Sequence, residues 1–95
     1  MIQRTIDAND ATPAVNGADW WVTSANGVAT EITDLDTPVV GRMVTIECGS
    51  STNASTITDG GNFALSANWT PDVGDTITLF IKADNTYIEI GRTAN

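Results

Sequence analysis

Asp34 and Asp36 stand two apart in the stretch DLDTP, and Asp59 leads the run DGGN. Paired carboxylates can exchange a proton or hold calcium. Neither stretch carries the spaced ligand set of a calcium loop. Turn formation is therefore the leading reading; Asp34 and Asp36 stay as secondary calcium candidates, and no metal is expected. Ser50, Ser51 and Ser55 offer hydroxyls, but the chain has no histidine to activate one. Lys82 is the only lysine and has no motif around it. Cys48 falls on the inward phase of a strand, where a thiol is inert. GSSTN (49–53) lacks the lysine and the spacing of a phosphate loop. These residues point away from an enzyme and away from a cofactor.

The tryptophans carry more information. Trp20, Trp21 and Trp69 are half of the six aromatic residues. Neighbours in a strand point to opposite faces, so Trp20 and Trp21 cannot share one core. An exposed aromatic stacks on a sugar or anchors an interface. Phe80 and Tyr87 read as outward-facing in their strands. Trp21, Phe80 and Tyr87 are thus the expected interface anchors. Trp69 and Trp21 are secondary candidates for glycan contact.

What positions these residues follows from composition. Ninety-five residues make one domain, 1–95, with a thin core. A single cysteine excludes an internal disulfide, so assembly with other chains is the remaining route to more buried area. Twelve acids against four cations leave a formal charge of −8. That balance argues against nucleic acid and anionic membranes as partners. No apolar run approaches the roughly 20 residues of a membrane span, and MIQRTIDANDATP has no apolar leader core. Thr, Val, Ile, Asn, Asp and Gly dominate, which predicts an all-β chain rich in turns. Residues 1–13 read as an extended lead-in or arm. Roughly seven to nine short strands are expected, among them 20–23, 28–33, 42–48, 55–58, 75–82 and 86–92, with Val44, Ile46, Cys48, Ile77, Leu79, Ile81, Ile88 and Ile90 inward.

The chain also repeats itself. ATEITD (29–34) matches ASTITD (54–59) at an offset of 25, and TPVVGRMVTIECG (37–49) matches TPDVGDTITLFIK (70–82) at an offset of 33. Each proline must precede a ladder, since it has no amide hydrogen. Gly41 and Gly74 permit a tight bend into the strand. The expected architecture is a small antiparallel β-sandwich or jelly roll with an internal pseudo-repeat, 29–53 and 54–85. A short β-helical stack completed by oligomerisation is the alternative.

Residues 10–95 resemble a family of small β-modules from bacteriophage and prophage proteins. The resemblance rests on DATPAVNGADWWVTSAN (10–26), TEITDLD (30–36), VGRMVTIECG (40–49), STITDGGNFALSANWTP (55–71), VGDTITLFI (73–81) and YIEIGRTAN (87–95). The family's aromatic-rich W-Y-E near the end is TYIEI here, with Tyr87 and Glu89 separated. The resemblance implies a non-enzymatic virion protein, a homotrimer made in the host cytoplasm and displayed on the outer surface of the particle. A module standing free from Met1 onward implies a head decoration (cement) protein on the major capsid protein. A module that ends a longer chain implies a trimeric tail-fibre or tailspike part that assembles or touches host glycan.

Overall fold

The computed structural model describes residues 2–94; Met1 and Asn95, the last residue of the terminal motif, lie outside them. Six strands form in chain order: β1 (Gln3–Thr5), β2 (Trp20–Val22), β3 (Met43–Glu47), β4 (Phe63–Ala64), β5 (Thr76–Ala83) and β6 (Thr86–Thr93). They make one mixed sheet of order β1-β2-β3-β5-β6-β4, and no helix occurs among the described residues. The protein is all-β. Its pairing is mixed where the sequence reading expects antiparallel strands.

Most of the parallel pairing lies in the first half of the chain; in the second half β4 pairs with β6 in parallel, Phe63 beside Tyr87. Trp20 lies beside Gln3, and Thr45 beside Trp20, both in parallel register. Parallel neighbours need long crossovers, and the segments between β1, β2 and β3 supply them. The first crossover touches the second in parallel at Ala14↔Asp36, and the second touches the segment after β3 in parallel at Glu31↔Thr56. The chain thus winds in successive coils. The offset of 25 in the ITD repeat is the length of the second coil, because Trp20↔Thr45 and Glu31↔Thr56 are both 25 apart. An asparagine ladder ties the coils at one corner. Asn9 N donates to Asn26 Oδ1 at 2.6 Å, Asn26 Nδ2 donates to Asn53 O at 2.8 Å, and Asn53 Nδ2 returns to Asn26 O at 3.0 Å. Asn9 and Asn53 take positive φ there, 63° and 46°, which asparagine tolerates. Residues 2–13 lead into this winding. β1 pairs with β2, and Ile6 and Pro13 are buried.

The antiparallel part begins where the offset of 33 takes over. β3 and β5 pair so that Thr45 lies opposite Thr78, its own repeat equivalent. In an antiparallel pair this places a local two-fold axis between the two threonines, whose hydroxyls are 2.9 Å apart. The flanking bonds obey it. Gly41 N donates to Ile81 O at 2.8 Å, and Gly74 N to Cys48 O at 2.9 Å. Ile81 N donates to Arg42 O, and Cys48 N to Asp75 O, both at 2.9 Å. Each strand is entered through the same turn: Arg42 N to Val39 O at 3.1 Å, Asp75 N to Asp72 O at 3.0 Å. The third residue of each turn is a glycine at φ 88° or 92°, the requirement of a type II turn. A third copy of the phrase, TPAVNG (12–17), precedes β2 with one extra residue and places Gly17 at φ 89°.

Both halves bury the same face. Val44, Ile46 and Cys48 correspond to Ile77, Leu79 and Ile81, and all six are at most 2% exposed. Trp21, beside Ile46, joins this core, as do Ile32, Leu35 and Ile57 from the crossovers. The coil after β3 comes close to the coil after β2 at Gly49. A Cβ there would collide with the Thr23 carbonyl oxygen and the Val22 side chain, so only glycine fits.

Candidate interaction face

The solvent face of the sheet is read from cross-strand register. Met43 lies opposite Phe80, Phe80 opposite Ile88, and Ile88 opposite Ala64. These four make one apolar row across β3, β5, β6 and β4. Phe80 and Ile88 are half-buried, and Met43 is 55% exposed. Ile90 lies at a β-bulge between Thr78 and Leu79 of the partner strand and is 59% exposed. Bulges add an unpaired residue and turn a side chain outward. The next row is Gln3, Trp20, Thr45, Thr78 and Gly91, and the one beyond is Thr5, Val22, Glu47, Thr76 and Thr93. Among the described strand residues on this face, only Glu47 and Lys82 are charged, although the chain carries twelve acids. Charge depletion with an aromatic and a methionine in its apolar row is the composition of an interface core.

Of the predicted anchors, Phe80 alone lies on this face. Trp21 is 7% exposed; its Nε1 donates to Ala18 O at 3.1 Å inside the core. The outward indole is its neighbour Trp20, half-buried, with Nε1 on Glu47 Oε1 at 2.9 Å. Trp69 is also buried, 2% exposed, and pairs with Ile57. Neither Trp21 nor Trp69 can stack on a glycan in this fold. Sequence alone shows that Trp20 and Trp21 face opposite ways; register against Ile46 decides which is inside.

Tyr87 is corrected in the same sense. It is fully buried, against the expectation of an outward face. Its ring lies 5.1 Å from that of Phe63. Its hydroxyl donates to Asp34 Oδ1 at 2.6 Å, has Leu35 O at 3.1 Å as a second acceptor, and accepts from Asn85 N at 3.2 Å. Burial, followed by the bond to Asp34, pushes the phenol up to about 12. Ile88 and Ile90, expected inside, are on the solvent face instead. Hydropathy favours the isoleucines inward, but the opposite phase satisfies two polar groups. One is Tyr87. The other is Glu89, which accepts from Ser66 N at 2.8 Å and pairs with Arg92 at 2.7 Å. The Arg92 guanidinium holds the Glu89 carboxyl down to about 2, while Glu89 raises Arg92. Arg92 also donates to Ala67 O and Asn68 O, so this pair clamps the loop before Trp69.

The calcium candidates have structural duties. Asp34 Oδ1 accepts from Tyr87 and from Leu35 N at 2.8 Å. Asn85 Nδ2, in the amide orientation that hydrogen bonding favours, reaches Asp34 Oδ2 at 2.8 Å. Asp36 Oδ1 accepts from Thr37 N at 3.0 Å. Both line an open depression with Asp84, but no group of three His, Cys, Asp or Glu residues that could hold a metal ion occurs among the described residues. Cys48 is buried, its Sγ 3.3 Å from Ser50 O. No helix of the described residues is long and apolar enough to cross a membrane. Comparison with protein-family models, with characterised proteins and with solved structures returns no match.

Proposed function

We propose that this chain is a non-enzymatic structural protein of a bacteriophage particle, a head decoration (cement) protein. It seats its sheet on the major capsid protein at the outer surface of the virion and works alongside copies of itself, as a homotrimer. One observation carries the reading. The two-fold axis between β3 and β5 repeats the backbone and the core, yet one end of the solvent face is Met43 and Phe80 and the other is Glu47 and Thr76. Folding requires the repeat and does not require that difference. An apolar row left in water costs solubility, so its use lies in contact with a partner. The acidic balance, −8, keeps the rest of the surface soluble and off nucleic acid. The resemblance of residues 10–95 to phage β-modules supplies the setting.

The test compares particles carrying the chain with particles stripped of it. Higher resistance to heat and osmotic shock in the decorated particles is expected, and equal resistance rules out cementing. A second reading, a trimeric tail-fibre or tailspike module, is favoured by the parallel coils and their asparagine ladder, the winding of a β-helix. Density at the tail in particle images, or a signal on a glycan array, would move the assignment there.

A further inference from the structure

The sequence holds two Asn-Gly dipeptides, Asn16-Gly17 and Asn26-Gly27, and the fold treats them in opposite ways. In such a pair the glycine amide nitrogen can attack Cγ of the asparagine, because no side chain on the glycine obstructs the approach. The reaction needs three things: a side-chain amide free to turn, a glycine N–H not held by an acceptor, and water.

Asn26 has none of them. It is 3% exposed. Its Oδ1 accepts from Asn9 N at 2.6 Å, and its Nδ2 donates to Asn53 O at 2.8 Å and to Ser55 Oγ at 3.0 Å. Gly27 N, the would-be nucleophile, donates to Asn9 Oδ1 at 2.8 Å. Asn16 is exposed, as is Gly17. Among the described residues its single side-chain hydrogen bond comes from the Thr37 hydroxyl, which donates to Oδ1 at 2.8 Å. That donor draws electron density from Cγ and leaves Nδ2 free to depart. Gly17 N has no acceptor among the described residues.

We infer that Asn16 is a site of spontaneous deamidation in the folded protein, while Asn26 is protected by the coil ladder. The Gly17 nitrogen forms a bond to Asn16 Cγ, the Cγ–Nδ2 bond breaks, and ammonia leaves with the Gly17 amide proton, giving a succinimide. Water then opens the ring. Breaking the new N–Cγ bond yields aspartate; breaking the bond to the main-chain carbonyl yields isoaspartate, with the chain rerouted through Cγ. Either product adds one negative charge. The isoaspartyl product also lengthens the main chain next to the bridge in which Val15 N meets Asp36 O at 3.0 Å. It therefore loosens the first coil where it enters β2.

The folded protein is aged at mildly alkaline pH and resolved by anion exchange. Chymotryptic cleavage at Trp20 and Trp21 separates the two sites for mass spectrometry. Asn16 is expected to convert at least about tenfold faster than Asn26, since reaction at Asn26 waits on local opening. In urea the two rates converge. The N16Q variant loses the early acidic species. Equal native rates in the unmodified chain, or an unchanged acidic species in N16Q, overturns the assignment.

Discussion

The two ends of the β3/β5 pair are built on one plan and finished differently. Inward, Val44, Ile46 and Cys48 answer Ile77, Leu79 and Ile81, apolar against apolar throughout. Outward, Thr45 answers Thr78, but Met43 answers Thr76 and Glu47 answers Phe80. The shared features are those that folding demands: glycines at positive φ, prolines ahead of the ladder, a buried stripe. The features that differ are those that folding leaves free. A comparison inside one chain thus separates what holds the fold from what the surface does.

The largest losses are expected in the core. Ile46→Ala and Leu79→Ala should each cost about 2–5 kcal/mol, since both leave a cavity at a fully buried site. Urea unfolding of the two variants should give similar losses; a loss confined to one half would end the equivalence. The turns come next. Gly41→Ala and Gly74→Ala each force a Cβ into the left-handed region, at about 1–2 kcal/mol apiece. Open space surrounds Gly41, so its strain is conformational and not steric.

The third test concerns the clamp outside the repeat. Arg92 holds the folded Glu89 carboxyl down to about 2, below its ordinary value of 4.5. A depressed carboxylate stabilises the fold above its unfolded pKa and loses that contribution as pH falls through the folded one. Thermal melts should therefore show stability declining between about pH 4.5 and pH 2, and Glu89→Gln should flatten that slope. The smallest effect on stability, and the largest on the proposed seating, belongs to the solvent face. Met43→Asp and Thr76→Asp occupy equivalent positions and should each change stability by about 1 kcal/mol or less. Only Met43→Asp should abolish seating on particles, measured by co-sedimentation; equal loss in both would remove the distinction between the two ends.

Period-two alternation was enough to place β3 and β5 and their buried faces, because Val44 to Cys48 and Ile77 to Ile81 leave no competing phase. It failed at β6, where Tyr87-Ile88-Glu89-Ile90 is apolar in one phase and amphipathic in the other. A one-residue shift reverses every side chain, and the deciding partners, Asp34, Phe63, Ser66 and Arg92, come from elsewhere in the chain or from beyond the bulge. The third T-P phrase was legible in Thr12 to Gly17 but is masked by its extra residue. The offset of 25 was legible as a repeat, though not as a coil length.

Read as residues alone, the chain is all-β, its two clearest strands are located, and one of Trp20 and Trp21 must face outward. Those are local matters of propensity, missing amide hydrogens and alternation. Tertiary structure alone decided that the first strands pair in parallel, that Tyr87 and Trp21 go inside, and that Met43, Phe80 and Ile88 share one row. Such outcomes depend on register between distant segments, and register is set by which buried polar groups find partners once the strands are side by side.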